Sequence, residues 1–132
     1  MKWFFSKYLF AGMIVVVSSI AALADVLPAP SRWTNQRGSV LEIWSVTDGQ
    51  VRGQFTNNAS GFACQGIPYP VSGRSAGSAV MLVVTFAQCN SITRWRGQVG
   101  GNQLRANWNL FYIQPNGDLG NLPGADLFQR TN

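Results

Sequence analysis

The chain has 132 residues, with ten Lys and Arg against five Asp and Glu, no His and a formal net charge of +5. Lacking His, it lacks the usual zinc ligand and the usual base for a Ser or Cys nucleophile, and the five carboxylates show no spacing that suggests a hydrolytic pair. The composition therefore argues against an enzyme and against a metal centre.

The first 24 residues read apart from the rest. Lys2 and Lys7 supply a positive start, Leu9 to Val17 an apolar run, and Ala22-Leu23-Ala24 a small-residue cleavage site before Asp25. This is the pattern of a secretory signal peptide. The apolar run falls short of the roughly 20 residues a spanning helix needs, so no membrane association is expected after signal removal. The mature protein is expected to be exported, either secreted or periplasmic. Residues 25–30 are a short N-terminal segment, and residues 31–132 suffice for one domain. In this mature part eight arginines face five carboxylates, a net +3. The arginines are spread along the chain without the dense tract that tracks phosphates, so no nucleic-acid partner is expected.

From residue 31 onward short β-rich runs alternate with turn residues, and no helical period lasts long enough to propose a major helix. The runs predict strands over 31–35, 39–46, 51–57, 68–74, 79–86, 91–99, 103–113 and 124–130. Asp48-Gly49, Gly100-Gly101-Asn102 and Asn116-Gly117 mark reversals. In the third strand Val51, Gly53, Phe55 and Asn57 alternate against Arg52, Gln54 and Thr56. Residues two apart share one face of a sheet.

Cys64 and Cys89 follow, and a thiol pair leaving the cytosol usually oxidises. One disulfide is predicted, the alternative being two separate buried thiols. In the sixth strand the period of two puts Ser91, Thr93, Trp95 and Gly97 on one face and Arg94 and Arg96 on the other. Hydroxyls on an inward face need partners. Backbone and water can supply them, as can a small bound molecule. The seventh strand is the clearest, with Leu104, Ala106, Trp108, Leu110 and Tyr112 alternating against Arg105, Asn107, Asn109 and Phe111. Eight antiparallel strands of this length can stack as a sandwich or close as a barrel. Periodicity does not choose between them.

The stretch Trp33-Thr34-Asn35-Gln36-Arg37-Gly38-Ser39 resembles the opening motif of the avidin and streptavidin family. Gly53-Gln54-Phe55, Ser91-Ile92-Thr93-Arg94-Trp95-Arg96-Gly97, Trp108 and Gly124-Ala125-Asp126-Leu127-Phe128 follow in the family's order, so the resemblance runs from about residue 31 to 130. Gly61-Phe62-Ala63-Cys64-Gln65, Pro68-Tyr69-Pro70-Val71-Ser72-Gly73-Arg74 and Cys89-Asn90-Ser91 are more similar still to the short dimeric bacterial avidins, the rhizavidin-like group, which has a disulfide between these two loops.

The resemblance implies an all-β, eight-stranded antiparallel up-and-down β-barrel and non-catalytic, high-affinity binding of biotin in its open end, with no cofactor. Asn35 and Ser39 would donate to the ureido oxygen, and Asp126 and Asn57 would accept from the ureido N–H groups. Thr93 would lie near the ring sulfur. Ser91 and backbone N–H groups between Ala59 and Gly61 would meet the valeryl carboxylate. Trp95, Trp108 and Phe86 would form the walls. Phe55 stands where the family usually has a Tyr, and Phe86 where it usually has a Trp. The segment Ile113 to Pro123 lacks the Trp that tetrameric members lend to a neighbour, which implies a homodimer.

Several of these residues also have plainer readings. A salt bridge to a nearby Arg would equally satisfy Asp126. Trp33 reads as core, Trp44 as core or interface, and Phe62 as a lid contact or a loop anchor. Phe55 and Phe86 also leave open a barrel that takes a different small ligand.

Overall fold

The computed structural model describes Gly12 and residues 25–132, so the expected leader lies, apart from Gly12, outside the described residues. Eight strands follow one another: β1 (Ser31–Thr34), β2 (Val40–Thr47), β3 (Gln50–Thr56), β4 (Pro68–Ala76), β5 (Ala79–Phe86), β6 (Ser91–Gly100), β7 (Gln103–Ile113) and β8 (Leu119–Arg130). Each pairs antiparallel with the next, and β8 returns to β1 to close a barrel. The sandwich alternative is thereby excluded. The closing seam is short, with Trp33 opposite Arg130 and Thr34 opposite Gln129.

The period-two pattern maps directly onto inside and outside. In β6, Ser91, Thr93, Trp95 and Val99 are buried while Ile92, Arg94, Arg96 and Gln98 are exposed. In β3, Val51, Gly53 and Phe55 point in and Arg52 points out. At Asp48-Gly49 both residues have positive φ, 51° and 76°, which is the twist a two-residue hairpin needs between right-twisted strands.

Strand β8 corrects the sequence reading, because it starts at Leu119 rather than 124. Gly120, Pro123 and Gly124 read as breakers in the sequence. Here residues 119–123 pair only with β7, from Ile113 opposite Leu119 to Asn109 opposite Pro123, while β1 meets β8 only near its far end. A proline on an edge with no second partner forfeits no ladder bond.

Because the strands run up and down, alternate connections lie at opposite ends of the barrel. The hairpins after β2, β4 and β6 gather at one end, above a packed interior that includes Val51, Val80, Val99 and Leu104, each no more than 5% exposed. Trp33 is fully buried, with its indole N–H donating to Ser31 Oγ at 2.8 Å. Trp44, by contrast, is 54% exposed and does not belong to the core. The connections after β1, β3, β5 and β7 form the other end.

At that end a disulfide joins Cys64, in the β3–β4 connection, to Cys89, in the short 3-10 turn after β5, with Cα atoms 6.1 Å apart. Closing a loop of 25 residues stabilises the fold by about 3 to 4 kcal/mol in the chain-entropy account. The Tyr69 hydroxyl bonds Gln88 Oε1 and lies 3.3 Å from Cys64 Sγ, so the bridge sits against a packed wall.

Candidate ligand-binding site

A cavity of about 240 Å³ opens between the connections that follow β1 and β3. Eight of the residues expected at the site line it: Asn35, Ser39, Phe55, Asn57, Thr93, Trp95, Trp108 and Asp126. A volume below the roughly 300 Å³ at which drug-sized pockets begin suits one small ring system. A wider concavity of about 690 Å³ lies over the outward-facing Arg96, Gln98, Arg105 and Asn107. It is a surface dish that among the buried polar residues reaches only Asp126, whereas Asn35, Ser39, Thr93 and Asp126 all line the smaller cavity.

The β1–β2 connection is built to present side chains. Asn35 Oδ1 accepts from the backbone N–H groups of Arg37 and Ser39, both at 3.0 Å, and the Asn35 N–H donates to Ser39 O at 3.0 Å. With its oxygen engaged by the backbone, Asn35 offers the cavity its amide donors. Ser39, 1% exposed, accepts from the Asn58 N–H at 2.9 Å and directs its hydroxyl towards Asn57 Oδ1 at 3.4 Å. Asn57 Oδ1 also accepts from the Ala59 N–H at 2.8 Å, which fixes it as an acceptor. Donors and an acceptor are therefore preset on one wall.

Asp126, 6% exposed, comes from β8, which closes the barrel against β1. Its Oδ2 accepts from the Trp95 indole N–H at 2.9 Å, and its Oδ1 accepts from Gln36 Nε2 at 3.1 Å and Arg37 Nη1 at 2.8 Å. A salt bridge to a nearby arginine, the plainer reading of Asp126, is thus present, and the carboxylate lines the cavity as well. A carboxylate has about four lone-pair directions. Three donors leave it capacity for one more.

The aromatic residues form two layers. Phe55 meets Trp95 edge-on with centroids 4.8 Å apart, and Trp108 is the direct cross-strand partner of Trp95. Trp108 can lie flat on β8 because its partner there is Gly124, where a Cβ would overlap the indole. Behind this layer Phe86, fully buried, packs against Phe62 at 5.0 Å, Tyr69 at 5.2 Å and Phe55 at 6.3 Å. Phe62 combines its two readings, since it lines the cavity and anchors its loop on Phe86.

Three residues expected at the site do not line the cavity. Phe86 stands one layer back, behind Phe55 and Phe62. Gly61 sits exposed in the β3–β4 connection with a positive φ of 82°. Ser91 lies beyond the cavity towards the β5–β6 turn, its Oγ buried with no hydrogen-bond partner among the described residues. Conversely, Gln36, Arg37, Leu110 and Leu122 contribute where no role was assigned. Leu110 is in phase with Trp108 and was legible. Gln36 and Arg37 are loop side chains with no period, and Leu122 falls in the stretch read as a turn.

Chemically the cavity offers hydrogen bonds, not turnover. Among the described residues no group of three or more His, Cys, Asp or Glu is placed to hold a metal ion. Donors and acceptors gathered beside indoles in one cavity suit a compact ligand that carries a strong dipole and N–H groups.

Comparison with known proteins points the same way. The model of the avidin family matches residues 25–130. Afifavidin of Afifella pfennigii is 32% identical over 91% of this chain and 87% of its own. The bradavidin2–biotin complex superposes with a TM-score of 0.77 and 53% identity, covering 80% of this chain and all of that one. Rhizavidin does so with a TM-score of 0.69 and 37% identity, over 77% and 81% of the two chains.

Proposed function

This chain belongs to the avidin family, a family of non-catalytic biotin-binding proteins, and on that premise we propose that it holds biotin in the cavity between Asn35 and Asp126. The observation that carries this reading is the convergence of Asn35, Ser39, Asn57 and Asp126 on one cavity. The Asn35 amide and Ser39 hydroxyl lie on one wall as donors to a ureido oxygen. Asn57 Oδ1 and the Asp126 carboxylate act as acceptors for the two ureido N–H groups. Trp95, Trp108 and Phe55 supply the apolar contact, with Thr93 beside the sulfur-bearing ring. The urea is neutral and strongly polar, so these held donors and acceptors bind it with little reorganisation, the Ser39 hydroxyl turning from Asn57 Oδ1 to the ureido oxygen. The solved bradavidin2–biotin complex, at 53% identity, supports the same ligand.

Titration calorimetry of the purified mature protein tests this. Biotin should bind at one molecule per chain, raise the melting temperature and quench or blue-shift tryptophan emission. No heat together with no rise in melting temperature would exclude biotin and leave a barrel adapted to another ligand.

The ligand's valeryl carboxylate is read as reaching the rim, towards Ser91 and the backbone near Gly61. The functional unit is read as an exported homodimer. Its support is the missing Trp between Ile113 and Pro123, together with exposed apolar side chains at Ile92, Ile113 and Leu119. Light scattering should return twice the mass of the mature chain, and N-terminal sequencing of the exported product should start near Asp25. A monomer by scattering, or an uncleaved leader, would overturn these two points respectively.

A further inference from the structure

Arg37 donates its backbone N–H to Asn35 Oδ1, and its side chain lines the cavity. Its Nη1 donates to Asp126 Oδ1 at 2.8 Å, and its guanidinium carbon lies 5.5 Å from the centroid of the Trp108 ring. The Arg37 side chain is 40% exposed whereas the Asp126 side chain is 3% exposed, so the guanidinium sits between solvent and the carboxylate. Only Gly38 separates Arg37 from Ser39, on a connection that is itself tied down through Asn35. We propose that Arg37 is a latch over the cavity mouth, closed by its ion pair to Asp126 and its stacking on Trp108, which an entering ligand must displace.

This rests on the reading of the cavity as the biotin site. It adds a kinetic role that the hydrogen-bonding walls alone do not predict. A ligand that needs the face of Trp108 covered by the guanidinium can enter only while the latch is open. The observed association rate is then the intrinsic rate multiplied by the open fraction. A partly exposed ion pair and one cation–π contact are each modest, which places the closed state ahead by about three- to tenfold. Once displaced, the guanidinium holds nothing of the ligand, so dissociation should not depend on it. Salt screens a half-exposed ion pair and should therefore open the latch.

The experiment is stopped-flow tryptophan fluorescence on the mature wild type, Arg37→Ala and Arg37→Lys. The probes are biotin and its uncharged primary amide, the latter chosen because the protein's net positive charge would steer an anionic ligand and mask the salt effect. For the amide, Arg37→Ala should associate about three- to tenfold faster than wild type with an unchanged dissociation rate. Raising the salt should speed the wild type and leave Arg37→Ala unaffected. Arg37→Lys, which keeps the charge without the planar face, should fall between them. Equal association rates within twofold would overturn the latch. So would faster dissociation of Arg37→Ala at an unchanged association rate, since that would make Arg37 a clasp on the ligand. A second arm needs no ligand: hydrogen exchange of the Trp95 indole, followed by NMR, should quicken several-fold in Arg37→Ala. Unchanged exchange would overturn the latch. If the wild type binds neither probe, the biotin reading fails, and the exchange arm still decides the latch.

Discussion

The indole N–H of Trp95 donates to Asp126 Oδ2 at 2.9 Å, joining β6 to β8 across the intervening β7. Both residues are buried, at 4% and 6% exposure, so each is the other's substitute for water. The bond aims the carboxylate and fixes the indole plane together. A ligand that pairs with Asp126 therefore meets the Trp95 wall already oriented.

Replacing Asp126 with Ala should remove the ligand's acceptor and leave Trp95 Nε1 and Arg37 Nη1 without theirs, while Gln36 Nε2 keeps the Ala125 carbonyl. Hydrogen bonds to charged groups contribute about 1.5 to 3 kcal/mol, equivalent to a loss of roughly ten- to 150-fold in biotin affinity. Calorimetry reads this directly. A change within about threefold would remove Asp126 from the binding site.

The sequence carried the inward face well where a strand is long and its alternation strict. Alternation alone puts Ser91, Thr93 and Trp95 inside β6, and Trp108 inside β7, because a one-residue shift would turn Arg94, Arg96 and Arg105 inward. Loop side chains have no such phase. Nothing in the order Asn35-Gln36-Arg37 says that the first turns its oxygen to the backbone while the other two reach Asp126, about 90 residues away in the chain. The start of β8 was hidden for another reason. Glycine and proline are breakers on average, whereas at Gly120, Pro123 and Gly124 they answer to an unpaired edge and to the rings of Tyr112 and Trp108.

Gly124 gives the second prediction. Adding a methyl group there drives it into the Trp108 indole, and because the contact is ring against backbone the ring must move. Overpacking of this kind costs about 1 to 3 kcal/mol. Gly124→Ala should therefore melt lower by roughly 4 to 20 °C for a domain near 100 residues and bind biotin more weakly. A variant with wild-type affinity and melting temperature would show that Trp108 does not depend on this bare strand.

The disulfide should matter to stability more than to the choice of ligand. Cys64→Ser with Cys89→Ser removes a constraint worth about 3 to 4 kcal/mol in the unfolded chain. It also frees the connection that carries Asn57, Ala59 and Phe62 to the cavity. Denaturant unfolding of the double variant should show that loss, and biotin should dissociate faster as the connection loosens. The same loss should follow when the wild type is reduced. If reduction left the unfolding midpoint unchanged, the bridge would have no stabilising part.

Phe55→Tyr separates the needs of the binding site from those of the fold. Phe55 is 2% exposed, lines the cavity and is enclosed by Trp95, Phe86 and Phe128. A hydroxyl added to its ring is buried, and one left without a partner costs about 1 to 3 kcal/mol. A bound urea oxygen can supply that partner, and one neutral hydrogen bond adds about 0.5 to 1.5 kcal/mol, up to roughly tenfold in affinity. The variant should therefore melt below wild type without biotin and by a smaller margin when biotin is saturating, the recovery matching the tighter binding that calorimetry shows. Scanning calorimetry in both states gives two changes of opposite sign from one oxygen atom. A fall in melting temperature of equal size in both states would mean that the new hydroxyl does not face the ligand, and that Phe55 serves the barrel core alone.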